Sequence, residues 1–148
     1  MINIIIAILI ILLLIKKIIE VLIKFKESYN NVHKFKCVVV NTKKSRNKGL
    51  MFRKQKLKKD EGMLFDFKKP QQISLWMKNT FIPLDAIFIH ENGKILDLKE
   101  NLKPKSKKSV SSNVDSKFVL EVNANTIQKN NIRIGDFINL KKIKKLNN

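Results

Sequence analysis

Cysteine occurs once in this chain, at Cys37, which excludes an internal disulfide and any cysteine-based metal knuckle. Histidine occurs only at His33 and His90, and neither belongs to a His-Glu-x-x-His arrangement. A glycine-rich phosphate loop, a nucleophile elbow and a Cys-His pair are also missing, which argues against a metal hydrolase or a triad enzyme. Arginine is confined to Arg46, Arg53 and Arg133. It is the side chain best shaped for bidentate contacts to phosphate or guanine, so nucleic acid is not an expected partner despite a net charge of +19. Glycine, alanine and proline number only 4, 3 and 3, whereas lysine, isoleucine and asparagine number 28, 21 and 16. That is the composition of a genome poor in G and C, and it accounts for much of the positive charge as solvated surface.

Glycines that persist in such a background mark places where the backbone needs them. Asn92-Gly93 predicts a two-residue hairpin turn, because both residues tolerate positive φ. Gly49 predicts the cap of a short helix that starts at Thr42.

Residues 1–15 are apolar except Asn3, and Lys16-Lys17 interrupt before a second apolar stretch ends at Ile23. Such a segment predicts an uncleaved membrane anchor or signal over 1–23, provided that both lysines reach toward a headgroup layer. Residues 24–33 read as a polar linker, 34–142 as one domain with a modest core, and 143–148 as a basic tail. The basic flank after the apolar run argues for the cytoplasmic side of a membrane.

Within the domain, alternation predicts strands over 35–40, 63–67, 73–78, 84–90, 94–99, 118–122 and 137–140. Short helices are expected over 42–48 and 124–130, and a polar loop over 101–116. The fold class is therefore mainly β or α+β: a compact seven-stranded sandwich or small barrel with two short helices, after an N-terminal hydrophobic helix. Cys37 alternates with Phe35 and Val39, the pattern of a buried free thiol.

The most informative stretch places a Lys, an Asn, a Thr and an Asp between two apolar strand patterns, in Trp76-Met77-Lys78-Asn79-Thr80-Phe81-Ile82-Pro83-Leu84-Asp85. In one reading Lys78 binds an anion, Asn79 and Thr80 orient it, and Asp85 pairs with Lys78 or acts as a base, with Arg53 as a second positive group and Trp76 beside them. In the other, Asn79, Thr80 and Asp85 hold turns and loops together through hydrogen bonds to backbone. Met51, Met63 and Met77, with Trp76, His33 and Cys37, offer soft donors for monovalent copper, but packing explains the methionines better. No cofactor or metal is expected.

Gly49-Leu50-Met51-Phe52-Arg53, Glu61-Gly62-Met63-Leu64-Phe65, Trp76-Met77-Lys78-Asn79-Thr80-x-x-Pro83-Leu84-Asp85 and the closing Ile134-Gly135-Asp136 together resemble the domain of unknown function 192 family. The resemblance covers about residues 33–142, and the Trp-Met-Lys-Asn-Thr block is its specific part. It implies a compact β-rich fold, an N-terminal signal or anchor, an extracytoplasmic domain and no established activity. The lysine-rich loops at 53–60 and 103–108 depart from the family pattern. The expected function is that of a membrane-anchored, non-enzymatic domain that binds a small molecule or an envelope protein at the Trp76–Asp85 face, a small anion being one candidate ligand. The alternatives are an enzyme that acts on a small anionic substrate through Lys78 and Asp85, and an envelope scaffold without a ligand.

Overall fold

A computed structural model of the chain describes residues 2–30 and 32–139, in two compact units, Met1–Asn31 and Val32–Asn148. The expected basic tail lies outside the described residues. The first unit is one helix, α1 (Ile2–Asn30), so helix continues through most of the expected linker. Among the described residues no helix is long and apolar enough to cross a membrane. The unbroken apolar run over 4–15 reaches about 18 Å at 1.5 Å per residue, against a hydrocarbon core of about 30 Å. Beyond it, Lys16, Lys17 and Glu20 interrupt the apolar character of the helix. The expected single-pass anchor, and with it the side of a membrane assigned to the domain, is therefore not supported.

The second unit opens with β1 (Val32–His33) and β2 (Lys36–Val40), followed by α2 (Lys43–Lys48). The Thr42 hydroxyl accepts from the Ser45 amide at 3.0 Å, and the Ser45 hydroxyl accepts from the Thr42 amide at 3.1 Å, a reciprocal cap that starts α2. Gly49, at φ +45°, ends it by donating to the Ser45 carbonyl. The long strand β3 (Glu61–Gln71) lies parallel to β2, so α2 and the following loop form the crossover between them. Then come β4 (Ser74–Leu75), β5 (Leu84–Ile89), β6 (Ile95–Leu102), β7 (Val110–Ser111), β8 (Ser116–Asn123), α3 (Thr126–Lys129) and β9 (Phe137–Ile138).

These strands form a mixed five-stranded sheet in the order β2-β3-β8-β5-β6, with small sheets β4-β7 and β1-β9 beside it. Among the described residues β2 and β6 are the end strands of the large sheet and do not pair with each other, so it is open where a barrel would close. The described residues hold nine strands instead of seven, because the two-residue strands β1 and β7 carry no readable alternation. The 73–78 pattern shortens to Ser74–Leu75, which leaves Trp76, Met77 and Lys78 in irregular chain.

The β5–β6 turn also departs from expectation. His90 donates to the Lys94 carbonyl and Gly93 to the His90 carbonyl, closing a three-residue loop in which only Gly93, at φ +94°, has positive φ. A type I turn with a glycine bulge builds this loop, whereas a two-residue turn would need positive φ at Asn92 as well.

Both faces of the sheet are covered. On one, Leu64, Ile87, Ile89, Leu120 and Val122 pack with Cys37, with Ile127 of α3, and with Ile132 and Ile138. His33 is joined to Asp136 at 2.9 Å, pinning β1 beside β9 instead of leaving it in a linker. On the other face, Val40, Phe65, Ala86, Phe88 and Val119 pack against Ile73. Leu50, Met77, Ile82 and Leu84 continue that layer, with Met63 against them, so the first three sequence blocks meet in one cluster.

Candidate functional site

The polar block between β4 and β5 is held mainly by its backbone. Asn79 sits at φ +56°, and its carbonyl accepts from the Phe52 amide at 2.7 Å. Thr80 is buried, donates from its amide to the Met77 carbonyl at 3.0 Å, and accepts at its own carbonyl from the Lys105 amide at 2.9 Å. These bonds stitch the block to the 49–53 and 103–106 loops.

Asp85 on β5 is fully buried, on the face it shares with Ile87 and Ile89. Its Oδ1 accepts from the Asn101 amide at 2.9 Å and its Oδ2 from the Ile127 amide at 3.0 Å. One carboxylate thus ties the end of β6 to the start of α3, which is the structural alternative expected for it. Lys78 is exposed, with its ammonium 5.1 Å from the centre of the Trp76 ring, and no ion pair joins it to Asp85. The pairing of Lys78 with Asp85 as a catalytic couple is therefore not assembled.

The six expected residues separate into distinct places. Trp76, 52% exposed, and Thr80 line a cavity of about 290 Å³. Arg53, which donates through Nε to the Gln55 carbonyl at 2.9 Å, lines another cavity of about 460 Å³ with Phe35, Cys37, Leu57, Gly62 and Met63. In that second cavity burial pushes the Cys37 thiol up to about 12, so it stays protonated and a poor nucleophile.

The first cavity holds a residue that alternation alone did not single out. Glu121 of β8 points to the face of Val119, opposite Met63 of β3 and Ala86 of β5. It is 6% exposed and lines the cavity with Phe65, Phe67, Leu50 and Leu75. No side-chain hydrogen bond or ion pair joins it to another described residue, and burial alone pushes its carboxyl from 4.5 up to about 8. Low polarity disfavours the charged form, and nothing close by restores it. Its signal in the sequence was an acid inside the apolar run Phe118-Val119-Leu120-Glu121-Val122, within a strand that is covered on both faces.

The mouth of this cavity is basic. Lys43, Arg46 and Lys48 of α2 line it, both lysines being exposed. Arg46 is already engaged: Nη1 donates to the carbonyls of Asn41 at 2.8 Å and Asp66 at 2.9 Å, and the guanidinium lies 4.9 Å over the Phe67 ring. Gln71, Ser74 and Asn47 add neutral polar groups.

The architecture is thus a mixed β-sheet domain with a cavity between one sheet face, α2 and the Trp76–Thr80 segment. The chain belongs to the DUF192 family, described as an uncharacterized ACR, whose family model matches residues 24–140. It is similar to a candidate transcription regulator of Sinorhizobium meliloti 1021 whose crystal structure is known. That likeness has 38% identity and a TM-score of 0.67, and covers 68% of this chain and 78% of that one. It is also similar to a crystallised protein of unknown function from Novosphingobium aromaticivorans DSM 12444, with 32% identity and a TM-score of 0.67, over 70% of this chain and 73% of that one. No curated protein matches it.

Proposed function

We propose that this domain is a non-enzymatic binding module that takes a small molecule into the cavity beneath Trp76 and Thr80. The observation that carries the reading is the Glu121 carboxyl, buried on the cavity wall with no partner among the described residues. Among the described residues no solvent-excluded side-chain oxygen or nitrogen lacks a hydrogen-bond partner, so the Glu121 oxygens, which bond to no described residue, open to the cavity and are available to a ligand there. Trp76 at the opening and the Phe65 and Phe67 rings inside add an apolar body to that polar contact, the usual composition of a ligand pocket.

The enzyme reading through Lys78 and Asp85 has no comparable support, because both Asp85 oxygens already accept backbone hydrogen bonds. The description of the Sinorhizobium relative raises DNA binding, but Arg46, Arg53 and Arg133 all donate to groups of their own chain. They are poorly placed to serve as free reading heads.

Trp76 is the only tryptophan in the chain, so its fluorescence and indole N–H resonance report on the cavity mouth directly. A screen of small metabolites against the full chain should give ligands that shift the Trp76 signals together with those of Thr80. Ligands that shift only residues remote from this cavity, or a screen with no ligand at all, would refute the reading.

A further inference from the structure

We propose that the cavity selects a short amphoteric molecule: a cationic nitrogen seated on the Glu121 carboxyl, a slim apolar body against Phe65 and Phe67, and an acidic group at the mouth beside Lys43 and Lys48. The inference rests on the binding reading above and adds the class of ligand.

The two ends of the cavity differ in sign. Its inner end carries Glu121, the only acid in the lining. The charged groups that face it come from α2 alone: Lys43, Arg46 and Lys48. The strand residues opposite Glu121 are Met63 and Ala86, and the 74–80 segment contributes Ser74, Trp76 and Thr80, none of them charged. With Arg46 held by two carbonyls, the free charges of the mouth are the two lysines. A purely cationic ligand would have to pass these lysines without compensation. A purely anionic one would be welcomed at the mouth and leave the inner carboxyl as unpartnered as before. A molecule with both charges, separated by a few methylenes, satisfies each end.

The volume agrees, since 290 Å³ is room for about ten waters at about 30 Å³ each. Protonation then couples to binding. In the empty cavity Glu121 holds its proton at neutral pH, because burial has pushed it up to about 8. An ammonium placed against it stabilises the carboxylate, so the carboxylic O–H proton passes to the buffer as the ion pair forms.

The test uses the full chain and three probes of one length: 6-aminohexanoate, hexanoate and hexylamine. Calorimetry at neutral pH should find 6-aminohexanoate bound about tenfold or more tightly than either single-charge probe. Measured in buffers of different ionisation enthalpy, its binding should release close to one proton. Glu121→Gln keeps the side-chain volume, and should abolish the proton release and the preference over hexanoate. Removing both mouth charges with Lys43→Ala and Lys48→Ala should abolish the preference over hexylamine while the proton release remains. Hexanoate binding as tightly as 6-aminohexanoate and shifting Trp76 would sink the amphoteric assignment but leave the binding site standing. No binding of any probe would also overturn the inference, and the metabolite screen then decides the site separately.

Discussion

Replacing Glu121 by Gln should change how the stability of this protein depends on pH. In the unfolded chain the carboxyl titrates near 4.5, whereas in the fold burial pushes it up to about 8. Between those values the folded chain holds a proton that the unfolded chain has lost. The unfolding free energy contributed by this group therefore falls as pH climbs from about 4.5 to about 8, and levels off above. At about 1.4 kcal/mol per pH unit, wild type should give up on the order of 3 kcal/mol between pH 4.5 and 7, and on the order of 4 kcal/mol by pH 8. Gln fills the same space and never ionises. Its buried amide adds an offset of about 1–3 kcal/mol that is the same at every pH. The signature is thus a slope in the difference between the two proteins, not the sign of that difference at one pH. Urea unfolding at intervals from about pH 5 to about pH 9 reads it. With a typical slope of about 1–3 kcal/mol per molar urea, the change in relative midpoint is about 1 M or more. Parallel wild-type and variant curves would refute the reasoning, since they would mean an ordinary, solvated carboxylate at 121 and a cavity wall without an unpaired group.

Other substitutions separate structural polarity from the site. Asp85→Ala strips the Asn101 and Ile127 amides of their shared acceptor, and should cost about 3–5 kcal/mol in the same urea assay. Lys78→Ala removes an exposed ammonium and its contact with Trp76, and should cost no more than about 1 kcal/mol; a loss like that of Asp85→Ala would mean a hidden partner. At Gly62 an added Cβ would lie 2.6 Å from Leu120 Cδ1 and 3.0 Å from the Glu121 carbonyl, so Gly62→Ala should destabilise by about 1–3 kcal/mol. The Cys37 thiol, buried and pushed up to about 12, should react with a maleimide only as fast as the fold opens, and quickly once urea is added, which mass spectrometry would follow.

Legibility in the sequence tracks the range of the interactions involved. The α2 cap and its glycine stop are local, and Thr42 and Gly49 could be read directly. Alternation placed Asp85 on the face of Ile87 and Ile89, where it lies, and put Cys37 in the core. The strands β1 and β7 were invisible because two residues carry no period. Long-range pairing sets them, Val32 with Phe137 and Val110 with Leu75. The same limit hid the cavity. The Trp-Met-Lys-Asn-Thr block drew attention because its polar residues are crowded together, yet only Trp76 and Thr80 of it reach the cavity. The other walls come from α2, β3 and β8, segments separated by tens of residues and joined only by the β2-β3-β8 order of the sheet.

Asp85 and Glu121 make the distinction between structure and site concrete. Both are acids on adjacent strands of one sheet, β5 and β8, and both are nearly or wholly buried. Strand parity turns them to opposite faces. Asp85 enters the face that α3 and β9 cover, and two backbone amides meet its two oxygens, so the fold accounts for it fully. Glu121 enters the face that α2 and the 76–80 segment cover, and it opens to the cavity with no hydrogen-bond or ion-pair partner among the described residues. A carboxyl in that position weakens the protein as pH rises toward its own titration point, and a side chain that cannot ionise would spare that pH-dependent cost. The acid to follow is therefore the one that no described residue pairs, and in the binding reading proposed above its partner is the ligand.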